Sequence, residues 1–309
     1  MKSRDRAASR RLVLSVQAML GIIGGTGLGE ALFGEAFSRE HVIDTPFGDP
    51  SGPIRTLSWA GLDVAVLARH GEGHVHPPSA VPYRANVHAL KQLGVTQLLV
   101  TGAVGSLREE IRPRELVIVD QVIDRTYRRE PSFFDRGMAV HVELADPYCP
   151  ALRARLVAAA PGAHAQGTYV CIEGPSFSTV AESRAHRTWG ADVVGMTAMP
   201  EARLAREAEM CCALLAFATD YDCWRPHAAG QTKKALLAEI IGHVKVATEN
   251  AVGVLRRAVE ELAASPLRPC PCQDALALAI WSRRDRISRE AIERAGPLVA
   301  KYLGPGEGA

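Results

Sequence analysis

The sequence predicts an α/β fold: a single domain with a mixed, mostly parallel central sheet flanked by helices. Two observations carry this reading. Short apolar runs of strand length alternate along the chain with stretches of helix length, the order that α/β sheets require. Several of those runs end in small or glycine-bearing loops, the place where such sheets bind their ligands.

Strand candidates lie at 20–23, 64–68, 98–101, 116–119, 169–172, 193–196 and 214–219. Helix candidates lie between several of them, at 81–93, 181–189 and 201–208, and a long one follows at 234–262. Thr179 and Glu182 have the spacing of a capping box at a helix start. A proline-rich stretch over 264–272 ends the long helix, and 274–303 reads as a short helical appendix without a core of its own. The expected organisation is therefore a disordered tail over 1–17, one main domain over 18–264, and a C-terminal appendix over 265–309 carrying Cys270-Pro271-Cys272.

Composition excludes several classes of function. The chain has 309 residues, with 36 basic against 34 acidic, so nothing in its charge points to nucleic acid. No apolar run is long enough to span a membrane. The basic N-terminus leads into an apolar run without a small-residue cleavage site and continues into Gly21-Ile22-Ile23-Gly24-Gly25-Thr26-Gly27, which reads as a first strand and its turn rather than a secretory signal. The seven cysteines form no disulfide framework, and Cys171, Cys211 and Cys212 read as small buried hydrophobes. A cytoplasmic setting fits these features.

Four loops follow strand candidates, at 24–27, 68–71, 101–106 and 196–201. Small residues there let backbone N–H groups approach an anion, and a Thr hydroxyl or an Arg adds a charge-assisted contact. Any one of them serves equally as an ordinary tight turn; four together point to a phosphate site. Gly24-Gly25-Thr26-Gly27 fits neither the P-loop nor the dinucleotide fingerprint. Asp220 and Asp222 end an apolar run, and on an extended segment both carboxylates face the same way. Such a pair can accept from an exocyclic amino group and protonate a ring nitrogen, the task in expelling a purine. The same spacing serves a helix cap and loop anchor equally well. Phe177 follows Gly174-Pro175-Ser176, where it either stacks on an aromatic base or plugs the core. His70, His74 and His76 share a Gly/Pro loop where zinc is conceivable, but no metal is assigned to them.

These stretches, met in order, closely resemble the methylthioadenosine phosphorylases of the trimeric purine nucleoside phosphorylase family. The resemblance covers 19–262 and rests on the segments 21–28, 44–48, 67–71 (Leu-Ala-Arg-His-Gly), 105–110, 172–178, 187–193 and 218–224 (Ala-Thr-Asp-Tyr-Asp-Cys-Trp). It implies phosphorolysis of methylthioadenosine to adenine and methylthioribose 1-phosphate, with orthophosphate as co-substrate and neither metal nor organic cofactor. It places phosphate on Thr26, Arg69, His70, Gly102, Ala103 and Thr197, and the ribose hydroxyls on the backbone of Met196. Phe177 and Ser178 fall beside the nucleoside, with Asp222 at N7 of adenine and Asp220 nearer its 6-amino group. Asp222, Asp220 and His70 are the implied catalytic residues. Relatives acting on 6-oxopurines place Asn where a carboxylate faces the base.

The resemblance also implies a homotrimer in which His141 reaches a neighbour's site near the 5′ group. Leu236 and Leu237 match positions lining the pocket for the methylthio group. Ser178 and Lys233 are the specificity positions. Lys233 stands where relatives usually place an aliphatic residue; it either lays its methylenes along the pocket or polarises it, the latter broadening use toward adenosine or other 5′-substituted nucleosides. The alternative reading is a broader purine nucleoside phosphorylase acting on adenosine, inosine or methylthioinosine. Cys270-Pro271-Cys272 resembles a pair that can form a disulfide in some thermophile members; two thiols are expected here. A nucleoside-binding protein without catalysis would not need the phosphate set, and a nucleoside hydrolase would carry a metal-binding Asp cluster.

Overall fold

The computed structural model describes residues 19–25, 38–226 and 232–304. Thr26 and the tail expected over 1–17 lie outside these residues.

The described strands are β1 (Met19–Gly24), β2 (Arg39–His41), β3 (Ile54–Trp59), β4 (Leu62–Ala68), β5 (Val95–Ser106), β6 (Leu116–Val119), β7 (Gln121–Arg125), β8 (Thr168–Ile172), β9 (Val193–Gly195) and β10 (Cys211–Asp220). They form one mixed sheet in the order β2-β3-β4-β1-β5-β9-β8-β7, with β10 pairing both β5 and β6. The pairs β4–β1, β1–β5, β5–β10, β9–β8 and β8–β7 run parallel; β2–β3, β3–β4, β5–β9 and β10–β6 run antiparallel. The helices are α1 (Tyr83–Gln92), α2 (Pro150–Ala159), α3 (Val180–Thr188), α4 (Ala198–Glu207), α5 (Lys233–Ala264), α6 (Arg289–Ala295) and α7 (Ala300–Leu303).

Period-two alternation makes the central strands apolar on both faces, as a covered parallel sheet requires. On β10, Cys212, Leu214, Ala216 and Ala218 enter one core cluster, while Cys211, Ala213, Leu215 and Phe217 enter the other. The first cluster takes in residues of α1 and α4. The second takes in Leu152 and Leu156 of α2 and the inner stripe of α5, Ala247, Ala251, Val254, Leu255 and Ala258.

The structure contains strands β2, β3 and β7 and helix α2, which periodicity alone did not reveal. β2 and β7 are half-exposed and polar, so no apolar run marks them. α2 sets Arg153 and Arg155 among its few buried positions, Leu152, Leu156 and Ala159, and its helical stripe is faint. The capping box is present: Glu182 N–H donates to Thr179 Oγ1 at 3.2 Å, and Thr179 N–H to the Glu182 carboxylate at 2.7 Å. Beyond α5 the chain forms short turns and helices, and Leu276, Ala279, Ala295, Leu298 and Val299 enter the first core cluster. Among the described residues no helix is long and apolar enough to cross a membrane.

Candidate active site

Register brings the glycine-bearing loops to one place. Gly24 pairs with Ala68, Ile23 with Val100, and Leu215 with Thr101. The next residues, Gly25 and Arg69, leave the carboxyl ends of β1 and β4 level with Gly102, in the crevice such sheets use for ligands; the stretch 101–106, expected as a loop, instead continues β5 to Ser106, because it pairs with β10. A cavity of about 670 Å³ opens there, within the range of small-molecule sites.

One end of the cavity is lined by Gly25, Arg69, His70, Gly102, Ala103 and Thr197. Glycine is required at position 25, because a Cβ would stand 2.8 Å from both the Arg69 guanidinium and the Thr101 carbonyl. Arg69 is almost fully buried, and Nε and Nη2 donate to the two carboxylate oxygens of Glu201 at 2.8 and 2.7 Å. Its Nη1 donates to Thr101 O at 2.8 Å. Burial alone would lower its pKa, but the Glu201 carboxylate carries it above the ordinary value, so it stays charged. His70 has its Nδ1 2.8 Å from His76 O; a carbonyl only accepts, so the proton lies on Nδ1 and Nε2 keeps its lone pair. Burial, then the charge of Arg69, lowers its pKa to about 4, and the ring is neutral at ordinary pH. His74 stacks on His70 at 4.1 Å, and among the described residues these histidines form no metal-ligating group.

The other end holds Phe177, Ser178, Asp220 and Asp222, with Met196 between. Here one sequence expectation is corrected. Asp222 is not on an extended segment: β10 ends at Asp220, and Asp222 sits in a turn with φ +47°, a conformation that Asp tolerates. Both carboxylates still line the cavity. Asp220 accepts from Thr219 Oγ1 at 2.7 Å. Oδ2 of Asp222 is buried with no protein partner among the described residues. Burial, with the charge of Asp220 adding to it, raises the Asp222 pKa, opposed by the Ser183 hydroxyl and His186. Phe177 lies on the rim, 86% exposed, and does not plug the core.

The apolar wall comes from α5, where Leu236, Ile240 and Val244 recur every four residues on one stripe. Leu237, expected in this wall, turns away and is 58% exposed; one residue further round the helix is about 100° from the stripe. Lys233, in the first turn of α5, is exposed and does not line the cavity. His141 also lies outside the cavity of its own chain, exposed beside the Trp281 ring at 4.7 Å.

Several residues that shape the site carry no sequence signal. Glu201 looks like an ordinary acidic residue at a helix start. Ser183 and His186 read as part of the polar surface of α3 but are buried. Arg129 donates to Met196 O and Met199 O, both at 2.6 Å, and to Glu173 O at 2.7 Å, fastening two site loops together. Burial would raise the pKa of Glu173, yet the Ser79 hydroxyl, the Tyr127 and Arg128 amides and Arg129 hold it at about 2.

The model of the phosphorylase superfamily matches residues 19–260. S-methyl-5′-thioadenosine phosphorylase of Koribacter versatilis is 45% identical over 295 residues, which cover 94% of this chain and 98% of that protein. The crystal structure of a methylthioadenosine phosphorylase sourced from an Antarctic soil metagenomic library superposes with a TM-score of 0.83 at 41% identity, covering 91% of this chain and 99% of that one. A variant of the adenosine/methylthioadenosine phosphorylase of Schistosoma mansoni, solved with methylthioadenosine, gives 0.74 at 35% identity, with 80% and 93% covered. The chain belongs to the phosphorylase superfamily and, within it, to the family of the S-methyl-5′-thioadenosine phosphorylases.

Proposed function

We propose that the chain is a pentosyltransferase that cleaves S-methyl-5′-thioadenosine with orthophosphate, giving adenine and 5-methylthioribose 1-phosphate. The observation that carries this reading is a single cavity with three chemically distinct parts: an anion floor, a carboxylate pair and an apolar wall. Arg69 gives three of its five N–H bonds to Glu201 and Thr101 among the described residues, leaving two for a phosphate. Neutral His70 offers Nε2 as acceptor to a phosphate hydroxyl. Gly25, Gly102, Ala103 and Thr197 complete the floor, with Thr26 assigned from its place in the sequence.

A phosphate oxygen forms a bond to C1′ from the face opposite the base while the C1′–N9 bond breaks, and its electron pair departs with adenine. Asp222, whose burial raises its pKa and so favours the neutral acid, serves as the acid that gives its proton to N7. Asp220 accepts from the 6-amino group. The overall reaction moves one proton from hydrogen phosphate to adenine. Neither metal nor organic cofactor has a part in these steps. The methylthio group lies against Leu236, Ile240 and Val244. The exposed position of Lys233 favours this apolar reading over a broadened 5′ preference. We place the enzyme in the cytoplasm as a homotrimer in which His141 of each chain completes a neighbour's site.

Initial rates with methylthioadenosine, adenosine and inosine, each with and without phosphate, test this reading. Adenine release should need phosphate, and kcat/KM should be highest for methylthioadenosine and lowest for inosine. Release independent of phosphate, or a preference for inosine, would overturn it.

A further inference from the structure

Far from the cavity, four cysteines meet where three elements converge. Cys149 is the N-cap of α2, and its N–H donates to Cys212 O at 2.7 Å, fastening the head of that helix to the start of β10. Cys211 opens β10 and, one residue from Cys212, belongs to the opposite core cluster, the one α2 and α5 build. After α5 the chain returns through Pro269-Cys270-Pro271-Cys272, where Pro271 begins a single turn closed by Gln273 N–H donating to Cys270 O at 2.9 Å. By sequence alone Cys211 reads as a small buried hydrophobe and Cys270 and Cys272 as a pair of thiols near the C-terminus. The fold joins them.

All four Sγ atoms lie within 4.8 Å of one another, and those of Cys149 and Cys270 are 3.5 Å apart. Cys149, Cys211 and Cys272 are at most 3% exposed, and Cys270 is half-buried. Among the described residues no other group of His, Cys, Asp or Glu ligand atoms converges in this way. Four thiolates at a metal–sulfur distance of about 2.3 Å stand about 3.8 Å apart around a tetrahedral zinc ion. The cluster is close to that spacing already, its ligands supplied from positions 149, 211, 270 and 272. Four soft sulfur ligands select zinc over magnesium or calcium and leave no open coordination position, which marks a structural site rather than a catalytic one. The N-terminus of the ten-residue α2, at Cys149, favours the negative charge that such a centre carries.

We propose that Cys149, Cys211, Cys270 and Cys272 form a structural zinc site that pins the C-terminal segment to the sheet. Its role is separate from the reaction: Cys211 and Asp220 stand at opposite ends of β10, roughly 30 Å apart at strand rise. The pinned segment also holds the loop bearing His141, through His141 N–H to Ala279 O at 2.9 Å and Trp281 N–H to Ala139 O at 3.0 Å.

The test is metal analysis of the full chain, purified in reducing buffer without chelator. One zinc per chain is expected, released when a mercurial thiol reagent is added. The Cys270→Ser/Cys272→Ser variant should lose the zinc, keep its turnover at room temperature and unfold several degrees lower. A strong chelator should lower the Tm of the parent and leave that of the variant unchanged. Reconstitution with cobalt provides a second readout, intense thiolate-to-cobalt charge-transfer bands, which decides the matter if the variant fails to fold. A zinc-free parent that also takes up no zinc or cobalt, an intact mass reduced by one or two disulfides, or zinc retained in the variant would each overturn the proposal.

Discussion

Replacing Glu201 by alanine would leave the Arg69 guanidinium buried with two N–H bonds facing no acceptor. In the native chain both side chains are 1% exposed, and the pair is bidentate at 2.8 and 2.7 Å. Removing one partner of a buried ion pair costs about 3–5 kcal/mol, because the remaining charge is neither solvated nor matched. Over 309 residues the unfolding entropy is about 0.65 kcal/mol/K, so Tm should fall by about 5–8 °C. Glu201→Gln keeps one acceptor and should lose about half as much. The guanidinium would also lose its aim, so the KM for phosphate should rise about tenfold or more while kcat changes less. The double variant Arg69→Met/Glu201→Leu separates the two effects: with both charges gone it should recover most of the lost Tm, yet use phosphate worst of all. Calorimetry and phosphate titrations on the four proteins read both quantities. An unchanged Tm in Glu201→Ala, or a double variant that uses phosphate like the parent, would refute the reasoning.

Two further outcomes follow from buried carboxyls. Asp222→Asn keeps the shape of the side chain and removes its proton, so turnover on methylthioadenosine should fall about 10²–10⁴-fold with a smaller change in KM. Burial holds the native Asp222 proton to higher pH than usual, so the parent's kcat should decline as pH rises through that raised value; the variant should lack this limb, and an identical profile in both would count against Asp222 as the acid. Glu207, whose carboxylate accepts the Phe133 N–H at 2.8 Å, is pushed by burial from 4.5 up to about 7. Between those values the folded chain binds more protons than the unfolded one, so this group lowers stability as pH rises, by up to about 3 kcal/mol once pH passes 7. Urea unfolding at pH 5 and pH 7.5 should show the parent losing stability relative to Glu207→Gln, and parallel behaviour would exclude this role.

The parts of the site legible in the sequence are those where local chemistry coincides with sheet geometry. Gly25, Arg69 and Gly102 each follow an apolar run, and parallel pairing of β4, β1 and β5 brings these positions level. Asp220 likewise closes the strand that begins with the apolar run 211–217. Burial of polar side chains was not legible, because it is decided by packing between distant segments. Glu201 lies 132 residues from Arg69 in the chain, and nothing local marks it as a partner. Leu237 shows a different limit. Both Leu236 and Leu237 suit an apolar wall, and only the rotation of α5 against the sheet selects the stripe through Ile240 and Val244. The cysteines repeat the first lesson, since four positions spread over 149–272 meet only because α2, β10 and the segment after α5 share one corner.

The charge balance of the cavity bears on how such a site turns over. Among the described residues, Arg69 is matched by Glu201, His70 is neutral above about pH 4, and Lys233 stands outside the lining. The anion floor therefore works through oriented N–H groups rather than through a surplus of cations. A strongly cationic floor would hold phosphate and the sugar phosphate product alike, because both are dianions, and tight binding of both ground states does not speed the chemical step. Held through N–H groups rather than neutralised by surplus cations, the phosphate keeps its negative charge, which gains most when positive charge grows on the ribose beside it. At the far end, a buried acid gains most when negative charge grows on the leaving base. The two ends thus respond to the same event from opposite sides. A floor without surplus charge at rest leaves that response available for the transition state.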